Sequence, residues 1–154
     1  MSSPLQRGGL VLDTNVISEP LRPRPDAQVL RYLQGVSSRT FVTSVTIAEL
    51  MLGAHLLDDG RRKAALLHDV AAVRDAYATR TLSFTASAAE HYGAAIAGLQ
   101  RAGRTMAVAD AYIAAICVTN DATLVTRNTR DFENYPDLQI INPWDSPEGS
   151  GTPG

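Results

Sequence analysis

The sequence predicts a single α/β domain built around a mostly parallel β-sheet. The runs that read as strands are short and apolar at successive positions, as in Leu10-Val11-Leu12, the mark of a strand covered on both faces. Segments with helical spacing of apolar residues separate them, so strand and helix alternate along the chain. At 154 residues the chain is long enough for one core and too short for two comfortable ones, and it contains no internal repeat.

Each element has its own signal. Gly8-Gly9 punctuates the start of the first strand, which stops at Asp13. After Pro20, Pro23 and Pro25, a helix opens near Asp26 with Val29, Leu33 and Val36 at helical spacing and Gly35 as its stop. Thr40-Phe41-Val42-Thr43 is rich in β-branched residues and reads as the second strand. Thr46-Ile47-Ala48-Glu49 fits a Ser/Thr-x-x-Glu capping box ahead of an apolar helical face from Leu50 to Leu57. Beyond the turn Asp58-Asp59-Gly60, residues 61–78 carry Leu66, Val70, Val73 and Tyr77 on one stripe. Residues 81–84 read as a short strand. Thr85 caps a helix to Gln100 with Tyr92, Ile96 and Leu99 aligned, and Gly103 breaks it. An alanine-rich helix over 107–119 is apolar on most faces and therefore buried on both sides. Residues 123–126 and 138–141 read as strands flanking a polar loop, 127–137. The domain is expected over 1–145, with a polar, turn-forming and disordered tail over 146–154.

Composition narrows the function. Fourteen basic and sixteen acidic residues leave a net charge of −2, which excludes nucleic-acid binding by bulk positive charge. Thirteen of the fourteen are arginine, so local phosphate forks remain open. The single Cys117, set among apolar neighbours, excludes an internal disulfide or a cysteine-cluster metal site and reads as an inert core residue. His55, His68 and His91 have no zinc-ligand spacing. No phosphate-binding glycine loop, dinucleotide fingerprint or nucleophile elbow is present. No apolar run approaches the roughly 20 residues that span a bilayer, and the N-terminus lacks a secretory apolar core, so a cytoplasmic protein is expected.

The acids are more telling. Asp13 directly follows the first strand, Glu49 is expected in the first turn of the helix after the second, and Asp110 in the first turn of the buried helix. Asn128 lies two residues beyond the strand that follows it. In a parallel sheet all four reach toward the carboxyl edge, where ligands bind. Two charges about 4 Å apart repel by roughly 4 kcal/mol at an effective dielectric of about 20. Such a group stands only if it is protonated, separated or filled by a cation. Oxygen donors without His or Cys suit a hard ion, Mg²⁺ or Mn²⁺, and phosphodiester chemistry. Each acid singly has a plainer reading: an Asx-turn for Asp13, the capping box for Glu49, the helix dipole for Asp110.

The segments around these acids resemble a known family. Residues 11–19, Val-Leu-Asp-Thr-Asn-Val-Ile-Ser-Glu, resemble the opening of PIN-domain proteins, above all the VapC and FitB toxins of bacterial toxin–antitoxin pairs. Val45-Thr46-Ile47-Ala48-Glu49-Leu50, residues 109–115, Val125-Thr126-Arg127-Asn128 with Asp131-Phe132, and Ile141-Asn142-Pro143-Trp144 follow in the same order. The resemblance spans residues 10–144.

It implies a three-layer α/β/α fold and a metal-dependent ribonuclease that is a homodimer, silenced by a cognate antitoxin. The catalytic and metal-holding acids carry over to Asp13, Glu49 and Asp110. The family often has a fourth acid, and here Asn128 is taken to stand in its place, with Asp131 as a possible substitute. Thr14, Asn15, Ser44 and Thr126 are expected to support the acids, and Arg101, Arg104, Arg127 and Arg130 to face the RNA. Two other readings remain. One is a catalytically silent interaction module using apolar faces around Leu30, Leu33, Leu52 and Leu56, residues otherwise assigned to the core. The other is a metal-dependent DNase or phosphatase. Asn15, where an aspartyl phosphatase has a second acid, counts against the phosphatase.

Overall fold

Strand β1 (Leu10–Leu12) is buried at all three positions. Val11 faces one apolar cluster, while Leu10 and Leu12 face another. The same alternation holds in β2 (Thr40–Thr43), where Phe41 and Val42 point to opposite sides, and in β4 (Thr123–Val125), where Leu124 and Val125 do. Period-two side chains that are apolar on both faces demand cover on both faces. Each side chain removed fully from water in this way contributes about 1.5–3 kcal/mol. The computed structural model describes residues 9–145, so the expected tail over 146–154 lies outside the described residues.

With β3 (Thr81–Leu82) and β5 (Ile140–Ile141), the strands form one sheet in the order β3-β2-β1-β4-β5, every pairing parallel. One face is covered by α1 (Thr14–Ile17), α2 (Ala27–Val36), α3 (Ser44–His55) and α4 (Arg61–Ala76). The other is covered by α5 (Ala86–Arg101), α6 (Val108–Thr119) and α7 (Thr129–Phe132). The three expected layers are present. Among the described residues no helix is long and apolar enough to cross a membrane.

Several local expectations need correction. Gly35 does not stop α2, which runs one residue further and passes into a 3-10 turn, Ser37–Arg39. Thr46 is not the cap of α3. The buried Thr43 is, its Oγ1 accepting from the Thr46 amide at 3.0 Å, so the helix starts at Ser44 and Glu49 falls in its second turn. The third strand is cut short because Phe84 leaves it to pack on Tyr112, ring centroids 4.3 Å apart, and edge-on to Tyr92. The polar stretch 127–137 hides α7, whose Phe132 is buried together with Tyr135 three residues on; polarity counts over a window miss two aromatics aimed at the core. Leu52 and Leu56 are 60% and 74% exposed, so they are surface residues, whereas Leu33 packs on the core.

The strand order reverses between β1 and β4. At such a reversal the connections leave to opposite faces and open a crevice beyond the carboxyl ends of the two strands. Asp13 and Thr126 are the residues that emerge there.

Candidate active site

Asp13 is 4% exposed. It leaves β1 with its amide bonded to the Val125 carbonyl of β4 (2.9 Å) and caps the four-residue helix α1, Oδ1 accepting from the Thr14 amide at 2.8 Å. Its other oxygen, Oδ2, accepts from Thr126 Oγ1 (2.8 Å) and Asn15 Nδ2 (3.3 Å). Asn15 in turn accepts the Arg127 amide on Oδ1 (3.0 Å), and Thr126 Oγ1 accepts the Asn128 amide (3.0 Å). The switch point is thus stitched across by one carboxylate. These hydrogen bonds favour the charged form, yet burial outweighs them and holds the Asp13 carboxyl above its ordinary value.

Glu49 projects from α3 toward the same place. Its Oε1 accepts from Thr14 Oγ1 at 3.0 Å, and burial, with the Asp13 charge in support, pushes its carboxyl up. The helix cap is supplied by Thr43, so Glu49 is free of the capping role its spacing suggested. Asp110, in the first turn of α6, accepts no side-chain or loop hydrogen bond among the described residues. Burial raises its carboxyl, and the charges of Asp13, Glu49 and Asp131 raise it further, to about 6. Asp131, in the first turn of α7, acts on Asp13 as well.

The acids divide between two cavities. Thr14 and Glu49 line one of about 700 Å³, bounded also by Leu21, Arg22, Gly53, Arg62 and Leu66. Asp110 and Asp131 line another of about 270 Å³, with Arg130, Asn134 and Met106. Gly53 lies one helical turn after Glu49 on the same face. A glycine inside a helix costs about 1 kcal/mol relative to alanine. The fold does not require it sterically, since a Cβ there would meet nothing within 4 Å.

The donor set suits a hard divalent cation: carboxylates only, each raised by burial and each raised further by like charge, Asp110 by three neighbours. Among the described residues, no three His, Cys, Asp or Glu side chains are gathered closely enough to cage an ion as they stand. The acids feel one another's charge without closing into a cage.

The PIN-domain family model matches residues 10–138. The chain belongs to the PIN-domain family. It is 36% identical over 137 residues to the toxin FitB of Neisseria gonorrhoeae, covering 88% of this chain and 98% of that one. It is 36% identical over 138 residues to the VapC ribonuclease Y4jK of Sinorhizobium fredii, with the same coverage. Among solved structures, FitAB bound to a DNA fragment matches with a TM-score of 0.81 and 34% identity, over 89% of this chain and 96% of that one.

Within this PIN domain the expected supporting residues separate. Thr14, Asn15 and Thr126 contact the acids directly. Ser44 is the exposed first residue of α3 and makes no hydrogen bond to them among the described residues. Asn128 is exposed and enters the network through its backbone amide, so the fourth acid in electrostatic reach is Asp131. Of the arginines, Arg130 lines the Asp110 cavity, and Arg104 bonds Asn134, another residue of its lining. Arg127 lies over the Trp144 ring, 5.0 Å from its centroid, and Arg101 is exposed in the last turn of α5.

Sequence reasoning passed over Glu19, Arg22 and Arg62. Glu19 is 4% exposed and accepts from the Asp26 amide (3.0 Å) and Arg22 Nη1 (3.4 Å), pinning the proline-rich segment that walls the larger cavity. Its signal was available: an acid closing the first family segment, directly before Pro20.

Proposed function

We propose that this PIN-domain protein is a divalent-metal-dependent endoribonuclease, the toxin of a toxin–antitoxin pair, cutting RNA at the acids of the β1/β4 switch point. A PIN-domain nuclease of the VapC and FitB kind is what the family and the relatives make it; RNA as substrate, the ion and the residue roles are our reading. One observation carries it. Asp13, Glu49, Asp110 and Asp131 gather their charge at the carboxyl edge of the β1/β4 switch point, and there burial and the three other carboxylates push Asp110 up to about 6, a cost that a bound cation relieves at neutral pH.

Asp13, Asp110 and Glu49 would hold the ion, Mg²⁺ or Mn²⁺, with Asp131 beside them. When bound, such an ion neutralises charge on the scissile phosphate and acidifies a water. The chain's own residues do the rest. Thr126 and Asn15 fix one oxygen of Asp13 and the Thr14 amide fixes the other, so that carboxylate cannot rotate. Thr14 engages Glu49 Oε1, which leaves Oε2 to accept a proton from the attacking water. Arg130, and Arg104 through Asn134, supply positive charge beside Asp110 for the RNA backbone.

A cognate antitoxin and a second copy of the chain are the partners in this reading, and the cytoplasm its setting. The exposed Leu52 in α3 and Leu56 at its C-cap, four residues apart, support protein contact. The test is cleavage of total cellular RNA by antitoxin-free protein with Mg²⁺, Mn²⁺ or EDTA, beside Asp110→Asn. Discrete fragments that need both the metal and Asp110 are expected. Metal-independent cleavage, or a fully active Asp110→Asn, would sink the assignment.

A further inference from the structure

Building on the ribonuclease reading, we propose that the cavity of about 700 Å³ beside Glu49 is a nucleotide subsite, receiving the base and sugar of the residue next to the scissile phosphate. Its volume falls within the range of small-molecule sites. Thr14 and Glu49, joined by their hydrogen bond, form part of its wall, so an occupant lies against one of the site's acids, Glu49. Leu21, Leu50 and Leu66 offer an apolar lining for a base, and Arg22 and Arg62 supply the positive charge its phosphates require. Asp69 makes no ion pair among the described residues. It is acceptor-only when ionised, so it can take an N–H from the base, the N4 amino group of cytosine or the N3–H of uracil.

Two features say the cavity is built rather than left over. Gly53 gives up helix stability at a position where the fold would accept a side chain, and that position lines the cavity. On the opposite wall, the buried Glu19 ties Arg22 to the Asp26 amide, so the segment bearing Leu21 and Arg22 is held before any ligand arrives.

The experiment titrates the protein in EDTA with CMP and with UMP, following backbone amide shifts. Saturable shifts at Gly53 and Leu66 are expected with both nucleotides. Gly53→Phe fills the cavity and should weaken CMP binding about tenfold or more. Gly98→Phe, at an open position of α5 outside the cavity, should bind as the unsubstituted protein does. Arg62→Ala, on the exposed start of α4, gives a second reading should Gly53→Phe fold poorly, with a several-fold loss expected. The proposal is overturned if the cavity amides do not move, or if folded Gly53→Phe binds CMP unchanged. It is also overturned if that variant keeps CMP binding and cleavage but escapes its antitoxin, which would make the cavity a protein-docking groove. The ribonuclease reading fails separately: an unsubstituted protein that cleaves no RNA with either metal refutes it, whatever the nucleotide titration gives.

Discussion

Asp13 and Asp110 stand on the two sides of one switch point, and almost everything that holds a carboxylate differs between them. Asp13 is nearly sealed from solvent, caps a helix with one oxygen and binds Thr126 and Asn15 with the other. Asp110 is half-buried, accepts no such bonds among the described residues, and is opposed by three like charges. The first acid is woven into the fold and ties β1 to the residue that follows β4. The second is held there against the fold's preference. A site divided in this way keeps one ligand rigid and leaves the larger part of the binding drive for a cation in the other.

Removing the frustrated acid is the sharpest test. Asp110→Asn keeps shape and removes charge, so RNA cleavage should fall on the order of a thousandfold or more. Thermal stability without metal should hold or rise. A variant that is inactive because it is unfolded would erase the contrast, and a melting curve run beside the cleavage assay decides it.

The mirror experiment is Asp13→Ala. It removes the α1 cap and leaves Thr126 and Asn15 without their acceptor, so a loss of about 2–3 kcal/mol in unfolding free energy should accompany the loss of activity. Asp110→Ala should lose the activity alone. Equal destabilisation in chemical denaturation would mean that Asp13 is no more structural than Asp110.

Between the two extremes lies Thr126, buried and donating to Asp13. Thr126→Val keeps the volume and deletes the donor. Groups that orient a metal-holding side chain typically change metal affinity by about 10–100-fold. A loss in that range, measured by calorimetry with Mn²⁺, is expected; an unchanged affinity would show that the cap and Asn15 fix Asp13 without Thr126.

How much of this was legible beforehand follows the same division. The strands, their parallel pairing and the positions of Asp13 and Asp110 follow from local patterns, because strand ends and a helix start can be read within a few residues. Glu49 was placed with its neighbours for a partly wrong reason. Its capping-box spacing is real, but Thr43 had already capped the helix, and only the tertiary contact with Thr14 shows what the carboxylate does. Asp131 was named only as a possible substitute for Asn128; its place is set by α7, which was not expected and which exists because Phe132 and Tyr135 are buried from a stretch that is otherwise polar. The cavity beside Glu49 could not be read at all. Its walls come from the proline-rich segment and two helices brought together by packing, and a glycine inside a helix has no local signature of what it leaves open.

The pH dependence is led by Asp110, with Asp13 and Glu49 shifted in the same direction. Asp110 titrates near 6 in the folded protein against an ordinary 3.8, so between those values the folded state holds more proton than the unfolded chain. Its contribution to metal-free stability is therefore best at acid pH and declines as pH rises from about 4 through about 6, by on the order of 1 kcal/mol once solvent screening is allowed for. Asp110→Asn should flatten that decline. Metal affinity should run the opposite way, weakening as pH falls through about 6, because the ion must displace a proton. Calorimetric titration at pH 5 and pH 7.5 checks both signs.

The smallest effects belong to the arginines, and they test whether the open side of the site is also the side that meets RNA. Arg130 lines the Asp110 cavity and Arg104 bonds a residue of its wall, while Arg127 is engaged with Trp144 and Arg101 is exposed at the end of α5. Each arginine that neutralises a phosphate contributes roughly 0.7 to the slope of log affinity against log salt for single-stranded nucleic acid. Arg104→Ala and Arg130→Ala should each lower that slope by about this amount. Arg101→Ala should leave it alone. Arg127→Ala should act chiefly on stability, by about 0.5–1 kcal/mol, through the lost stacking on Trp144. A slope that falls for Arg127 but not for Arg130 would move the RNA path off Asp110 and onto the β4 end of the sheet, and the two-sided description of the site would have to be redrawn around Asn15 and Thr126.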